Sequence, residues 1–299
     1  MIWCVTLNPA LDVAYLVPEG IGSKDVAVAQ TTDIRAGGKG NNVARTVKVL
    51  GGTVSAVGVF GGAVGAAIIQ KLEDSGIAVW SAWIPEESRI CMTLTSDEGL
   101  PVEVRGRGPR VSPPTVTELL ERLSQAVGPE DWVALSGSLP PGLPTSTYAE
   151  WISVLKPRVA GVVLDTAGEA LRQGYSEGPT AIVPNSQEFL ELAVGRDGLG
   201  ESDVEVIVTE GGDGVTWHHR SARRRWEAPQ VRVRNPVGAG DVFLGAMLKH
   251  LHDGMSWDMA IPWAVASASA SVETLGVAEV NIARISILHD TLREAKLCH

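Results

Sequence analysis

Segments with the character of β-strands alternate with segments of helical spacing through most of this chain. Apolar runs of strand length occur at 2–7, 54–60, 132–135, 161–164, 181–183 and 204–208, and helical spacing occurs at 41–50, 65–75, 115–127, 145–155 and 186–193. The last third is helical in character over 239–251, 257–275 and 285–295. This alternation predicts a mostly parallel sheet covered by helices on both faces, with ligands beyond the carboxyl ends of the strands.

Two stretches interrupt the alternation. Residues 11–34 and 89–104 are rich in strand-forming residues, alternate apolar with polar positions and lack helical spacing. They predict a small antiparallel flap over one end of the main sheet. The alternative is a pair of surface hairpins without a role in function.

Composition excludes several classes of protein. With 299 residues, 44% of them hydrophobic, and no run of about 18 apolar residues, the chain is expected to be globular and not to enter a membrane. A net charge of −10 argues against nucleic-acid binding. Three cysteines, Cys4, Cys91 and Cys298, form neither a disulfide framework nor a metal motif, so we expect a reducing, cytoplasmic location.

The most informative loop runs from 235 to 241 and opens an apolar helix. Gly238 and Gly240 permit close approach of the backbone, and free N–H groups at the start of a helix bind anions. Asp241 follows them, where a carboxylate would repel a phosphate unless it has a chemical task. Accepting a proton from an attacking hydroxyl group is such a task. The alternative is an N-capped helix after a glycine-rich turn.

A second glycine-rich loop, 36–45, also leads into a helix. It is not a Walker A loop, because the positions of that motif's first glycine and hydroxyl residue hold Asp33 and Gly40. Gly37 and Gly38 could form a hinge that lets polyol hydroxyls reach the main chain, and the Asn42 side chain can both donate and accept hydrogen bonds. Alternatively, the segment is only a turn.

Polar residues also follow other strands. Asp12 could accept hydrogen bonds from sugar hydroxyls or cap a turn, and the loop 136–142 offers the hydroxyl of Ser138. Asn185 and Glu188, three residues apart at a helix start, form an oxygen pair that suits hydrated Mg²⁺. They equally suit a capping box, which has no metal. The turn 209–214 could border a nucleotide.

In this order, the motifs resemble those of the ribokinase-like sugar kinases, and among them the phosphofructokinase B branch. That branch includes 1-phosphofructokinases and tagatose-6-phosphate kinases. The resemblance spans nearly the whole chain, and 37–45 and 235–241 carry most of its specificity. It implies one domain, 1–299, with a three-layer α/β/α fold and a mostly parallel sheet. It also implies a β-rich lid, formed by about 11–35 and 89–108, which often serves as a homodimer interface.

The resemblance implies transfer of a phosphoryl group from ATP, with Mg²⁺, to a hydroxyl of a sugar phosphate. Asp241 would be the base, and the N–H groups of Val237, Gly238, Ala239 and Gly240 would hold developing charge. Acceptor binding would fall to Asp12, Gly37, Gly38, Asn42 and Ser138, with Arg89 and Lys39 on the acceptor phosphate. Nucleotide and metal binding would fall to Asn185, Glu188, Thr209, Gly211 and Gly214.

Two differences from relatives bear on the acceptor. Cys91 stands where relatives usually have asparagine, and an acidic stretch becomes basic through Arg105, Arg107 and Arg110. These arginines could replace phosphate contacts or bind a different acid. We expect fructose 1-phosphate as the first acceptor, then tagatose 6-phosphate or fructose 6-phosphate. The alternatives are a kinase of free sugars or nucleosides, and a sugar-phosphate sensor that does not turn over.

Overall fold

A computed structural model describes residues 1–17, 26–96, 101–193, 203–220 and 222–292, and the backbone of 294–295. Two sheets form within these ranges. The strands are β1 (Ile2–Thr6), β2 (Ala10–Leu16), β3 (Thr31–Gly37), β4 (Val54–Gly61), β5 (Ala78–Ile84), β6 (Arg89–Thr95), β7 (Val102–Arg105), β8 (Trp132–Ser136), β9 (Gly161–Asp165), β10 (Ala181–Ile182), β11 (Glu205–Thr209), β12 (Val215–His219), β13 (Ala222–Trp226) and β14 (Glu294–Ala295).

The larger sheet has ten strands in the order β14-β13-β12-β11-β10-β9-β8-β1-β4-β5. From β11 to β5 neighbouring strands pair in parallel, whereas β12, β13 and β14 pair antiparallel at one edge. All five residues of β1 are buried, as expected for a central parallel strand with both faces covered.

Helices cover both faces of this sheet. They are α1 (Lys39–Val49), α2 (Gly62–Asp74), α3 (Pro113–Ala126), α4 (Thr147–Leu155), α5 (Gly168–Ser176), α6 (Ser186–Ala193), α7 (Ala239–His252), α8 (Trp257–Ser271) and α9 (Ile282–His289). One core joins α1, α2, α7 and α8 to the sheet, and a second joins α3 to α6 to its other face. The predicted three-layer α/β/α architecture is therefore confirmed. None of the helices in the described ranges combines the length and apolar character needed to cross a bilayer.

The smaller sheet has four strands in the order β3-β2-β6-β7. We call it the lid. Both β-rich stretches contribute to it, although their segments 18–25 and 97–100 lie outside the described residues. The prediction of an antiparallel flap is wrong in one respect, because β2 and β6 pair in parallel. The lid is therefore a mixed sheet rather than two independent hairpins.

The C-terminal helices are shorter than predicted. The helix expected over 257–275 ends at Ser271, and the Val272 carbonyl instead accepts hydrogen bonds from the N–H groups of Arg234 and Asn235. The helix expected over 285–295 begins at Ile282, because the Asn281 side chain caps it by accepting from the Arg284 N–H. It ends at His289, and 294–295 join the sheet edge instead.

Candidate active site

A cleft of about 900 Å³ opens at the carboxyl ends of the parallel strands, beside the lid. It brings together residues from the lid, from the glycine-rich loop before α1 and from the loop before α7. Of the residues predicted for the site, all but Gly37 line this cleft. They are Asp12, Gly38, Lys39, Asn42, Arg89, Ser138, Asn185, Glu188, Thr209, Gly211, Gly214, Val237, Gly238, Ala239, Gly240 and Asp241.

Asp241 lies on the first turn of α7 and is buried. Its Oδ2 accepts a hydrogen bond of 2.8 Å from Nδ2 of Asn42 on α1. Burial raises the pKa of Asp241 to about 7, Lys39 and the Asn42 hydrogen bond lower it, and nearby Asp165 and Asp12 raise it. A carboxyl group in this state can accept a proton near neutral pH.

The loop before α7 is shaped by Asn235, which is buried. Its Oδ1 accepts from the Val237 N–H at 3.0 Å, and its Nδ2 donates to the Leu275 carbonyl at 2.9 Å. The Ala239 N–H donates to Pro236 O at 3.2 Å. Two of the four N–H groups predicted for the anion hole, those of Val237 and Ala239, are thus engaged. The N–H groups of Gly238, Gly240 and Asp241 have no acceptor among the described residues.

The N-terminus of α1 places a lysine in the cleft. Gly38 occupies the N-cap with a φ of 93°, and Lys39 follows as the first helical residue. Its Nζ donates to Oδ1 of Asp165 at 2.7 Å, and Asp165 is buried at the end of β9. Burial lowers the pKa of Lys39, but Asp165 and Asp241 outweigh it and the net pKa is raised. Lys39 therefore stays cationic beside Asp165.

Gly37 does not itself line the cleft, but it contacts a residue that does. It pairs with Ala10 across β2 and β3, and a Cβ at Gly37 would overlap the carboxyl group of Asp12. The missing side chain thus makes room for that carboxyl group. Burial raises the pKa of Asp12 to about 6, while Arg45, Arg89 and Arg105 lower it and Glu103 raises it.

Arg89 joins the lid to the first strand of the core. Its Nε donates to the Asn8 carbonyl and its Nη1 to the Gly106 carbonyl, each at 3.1 Å. The Asn8 side chain in turn donates to Oγ of Ser138 at 3.2 Å. These contacts hold three loops at one end of the cleft. Nε and Nη1 of Arg89 are thus engaged, so a phosphate would bind to the remaining N–H groups of the guanidinium.

Asn185 and Glu188 form the capping box of α6. The Asn185 N–H donates to Oε2 of Glu188, and the Glu188 N–H donates to Oδ1 of Asn185, both at 2.9 Å. Both residues nevertheless line the cleft, and oxygen donors of this kind suit Mg²⁺. In the described part of the chain, no three His, Cys, Asp or Glu side chains are grouped as metal ligands. An ion held here would therefore take its other ligands from water and phosphate.

The cleft wall beyond α6 is mostly backbone and small side chains. Thr209 ends β11, and residues 211–213 form a short 3₁₀ turn. A Cβ at Gly211 or Gly212 would meet open space, whereas one at Gly214 would overlap the Trp226 carbonyl. Gly214 is therefore required by the turn itself. Gly211 and Gly212 leave open space on this side of the cleft.

The structure adds residues that sequence reasoning missed. Asp165 is the most important, and it directly follows the apolar run 161–164, so its position at a strand end was a usable signal. On the lid, Glu103 also lines the cleft and was not predicted. It forms an ion pair with Arg105, which lines the cleft together with Cys91, and both of these were already singled out in the sequence. Arg107 is exposed and, like Arg110, is not part of the cleft lining.

Comparison with known proteins identifies a family for the sequence and similar folds for the structure. A model of the pfkB carbohydrate kinase family matches residues 6–284. Phosphofructokinase-2 from Escherichia coli in complex with potassium has a TM-score of 0.88 and 24% identity, covering 97% of this chain and 98% of that one. Its complex with fructose-6-phosphate gives a TM-score of 0.86 at the same identity and coverage. A possible 1-phosphofructokinase from Thermotoga maritima gives 0.87 with 20% identity, covering 100% of both chains.

Proposed function

The chain belongs to the pfkB family of carbohydrate kinases, and on that premise we propose that it phosphorylates a hydroxyl of a ketose phosphate. As a member of this family it is an ATP-dependent carbohydrate kinase. The proposed acceptor is fructose 1-phosphate, followed by tagatose 6-phosphate or fructose 6-phosphate. The observation that carries the proposal is the buried Asp241, which lies on the first turn of a helix in the same cleft that contains Asp12 and Asn42.

In this mechanism, Asp12 and Asn42 hold the sugar hydroxyls, and the main chain at Gly38 allows the sugar to approach closely. Asp241 accepts the proton of the attacking hydroxyl as the bond to phosphorus forms. The free N–H groups at the start of α7 stabilise negative charge on the transferred group. Thr209, Gly211 and Gly214 border the nucleotide.

Mg²⁺ would offset phosphate charge, with Asn185 and Glu188 holding its water ligands. Lys39 would exchange part of its contact with Asp165 for a phosphate oxygen. Lys39 would then assist Arg89 and the Ser138 hydroxyl in contacting the phosphate already on the acceptor. Arg105, which also lines the cleft, adds positive charge at the same end.

The test is acceptor-dependent ADP release with Mg-ATP across ketose phosphates, free sugars and nucleosides. We expect turnover on at least one ketose phosphate, with free sugars and nucleosides poorer by tenfold or more in kcat/KM. Turnover confined to free sugars or nucleosides would reject the acceptor class. Tight phosphosugar binding without ADP formation would identify a sensor instead, although a sensor has no use for a buried carboxyl base.

We also propose a homodimer joined through the lids, in the cytoplasm. Four apolar side chains on the lid strands are 42–59% exposed, namely Ile34, Ile90, Val102 and Val104. Ile34 and Val104 belong to one row across the four strands, through Val13 and Met92. An apolar face of this kind on a mixed sheet suits pairing with a second copy of the chain.

A further inference from the structure

We propose that Arg45 is a positioning residue, which fixes the side-chain amide of Asn42 so that its nitrogen faces Asp241 and keeps that base ready to accept a proton. The inference rests on the proposed role of Asp241. Arg45 itself lies on α1, one helical turn after Asn42, and does not line the cleft. Its effect on the reaction is therefore exerted through another side chain.

The guanidinium of Arg45 is tied to three parts of the molecule. Nη1 donates to Oδ1 of Asn42 at 3.0 Å and to the Ala36 carbonyl at 3.3 Å. Nη2 donates to the carbonyls of Val277 at 3.1 Å and Ala278 at 3.4 Å. Moving the Arg45 guanidinium away from Asn42 would break several of these hydrogen bonds together.

These bonds decide which way the Asn42 amide points. A guanidinium carries only donors, so the atom of Asn42 that faces Arg45 must be the oxygen. The NH₂ group then faces Asp241, and it donates to Oδ2 at 2.8 Å. A donor at this position stabilises the carboxylate, whereas an amide rotated by half a turn would present its oxygen and favour the protonated acid.

Other charges also face Asp241. Lys39 lowers its pKa, while Asp165 and Asp12 raise it. Burial and the neighbouring guanidinium of Arg35 lower the pKa of Arg45, Asp12, Asp33 and Asp241 raise it, and the net pKa is about 10. Removing Arg45 removes positive charge as well as the amide constraint, and both changes raise the pKa of Asp241. The test must separate the two effects.

Arg35 provides a matched control. Its Nη1 also donates to the Val277 carbonyl, at 3.3 Å, but Arg35 makes no hydrogen bond to Asn42. The shared acceptor matters because Val277 precedes Ala278, whose N–H donates to Val237 O in the loop before α7, at 3.3 Å. Arg35→Met therefore removes a guanidinium that donates to the same backbone segment, while Arg45 still holds the Asn42 amide.

The experiment measures kcat/KM against pH for the full chain, with Mg-ATP and its best phosphosugar acceptor. We expect Arg45→Met to move the acid limb to higher pH by about one unit, the size expected for one hydrogen bond to a charged group. Arg35→Met should move it by less than about a third of that, and Arg45→Lys, which keeps a donor and the charge, should restore most of the wild-type profile. Arg45→Gln, polar and similar in length, serves in place of Met if that variant does not fold.

The contribution of the amide is isolated in an Asn42→Ala background. There, Arg45→Met should shift the limb by less than half as much as in wild type, because no amide remains to rotate. An equal shift in both backgrounds would overturn the inference in favour of charge alone, and an unmoved limb in Arg45→Met would overturn it outright. Both outcomes leave the proposed function standing. Failure of the proposed function has a different signature, since wild type itself would then turn over no phosphosugar.

Discussion

At the scale of single residues, three carboxyl groups in the cleft differ in their surroundings. Asp165 is paired with Lys39 at 2.7 Å, whereas burial raises the pKa of Asp241 to about 7 and that of Asp12 to about 6. The group with the most strongly raised pKa is the one at the helix start, beside free N–H groups. Environment, rather than residue type, therefore distinguishes the candidate base from its neighbours.

The first prediction concerns pH. Asp241 must be anionic to accept a proton, so kcat/KM should fall as the pH drops through about 7, well above the ordinary aspartate value of 3.8. Lys39 lowers this pKa, so Lys39→Met should move the acid limb to higher pH. Because kcat/KM reports ionisations of the free enzyme and the free acceptor, titration of the acceptor's phosphate in solution would not respond to that substitution. A limb near pH 4, unmoved in Lys39→Met, would contradict the assignment.

The second prediction concerns the acceptor phosphate. Arg89→Ala and Arg105→Ala should each raise the KM of the phosphosugar about tenfold or more, because a charged hydrogen bond contributes roughly 1.5–3 kcal/mol. The KM of ATP should change by less than about twofold in both, as expected for contacts at the acceptor end.

Arg107→Ala is the matched control for these variants, since it makes the same change of charge in the same segment but outside the cleft lining. It should leave both KM values near wild type. Equal effects of all three substitutions would show that net charge, and not contact, is responsible.

At the scale of elements, the loop before α7 is held by a close backbone contact. Gly238 has a φ of 82°, and a Cβ there would lie 2.8 Å from Cβ and 3.0 Å from N of Ala278. Ala278 itself has a φ of 49° and donates its N–H to Val237 O. The start of α7, where we propose that phosphate binds, is thus packed against a segment that lies 40 residues later, counted from Gly238 to Ala278 (278 − 238).

This fit leads to a third prediction. Gly238→Ala should lower kcat at least tenfold by displacing the N–H groups, and should lower stability by about 1–2 kcal/mol through its left-handed φ. Gly254→Ala, at the other end of α7, has a φ of 89° with nothing within 4 Å of the added Cβ. It should lose no more stability in thermal unfolding than Gly238→Ala, because only its φ is strained, and its kcat should be unchanged. Similar kcat values in the two variants would count against a special role for the loop.

Regular apolar spacing predicted some elements of the fold but not all of them. Strand β1 and helix α1 lie within two residues of their predicted ends because apolar spacing there is regular. Helix α5 was missed, because Gly168 and Gly174 weaken its helical character. The spacing of Asn185 and Glu188 in the sequence fits both a metal site and a capping box, and the structure shows that both hydrogen bonds of the capping box are formed.

Residues of the candidate site could be predicted where a single continuous loop brings them together, as in 235–241. Asp165 and Arg45 were not predicted, because their importance depends on which side chains the sheet and α1 bring together. Lys39 and Asp165 are 126 residues apart in sequence yet form one ion pair. Gly37 shows the converse, since its lack of a side chain serves a neighbour, Asp12, that sequence spacing alone does not identify.

At the scale of the whole molecule, the order of motifs decided the fold correctly, and the match to a family over residues 6–284 agrees with it. The net charge of −10 makes the surroundings unfavourable to anionic substrates. Local cations must therefore be concentrated in the cleft. Lys39, Arg89 and Arg105 lie there, close to the carboxylates that would otherwise repel a phosphate.

The fourth prediction concerns assembly through the lid. Val104→Glu should convert a dimer into a monomer in light scattering or sedimentation, because it places a charge in an apolar interface. Leu190→Glu, a similar change at a residue that is 66% exposed on α6, should leave the dimer intact. A wild-type monomer, or a dimer that survives Val104→Glu, would contradict pairing through this face.

The most direct test of the central claim compares wild type with Asp241→Asn at saturating Mg-ATP and phosphosugar. Loss of a general base should reduce acceptor-dependent ADP release by about 10²–10⁴-fold, while the affinity for ATP stays within a few-fold of wild type. Asparagine keeps the size and the burial of the side chain, so folding should be preserved in thermal unfolding. Turnover within about threefold of wild type would show that Asp241 is not the base, and the account of this cleft would then be wrong.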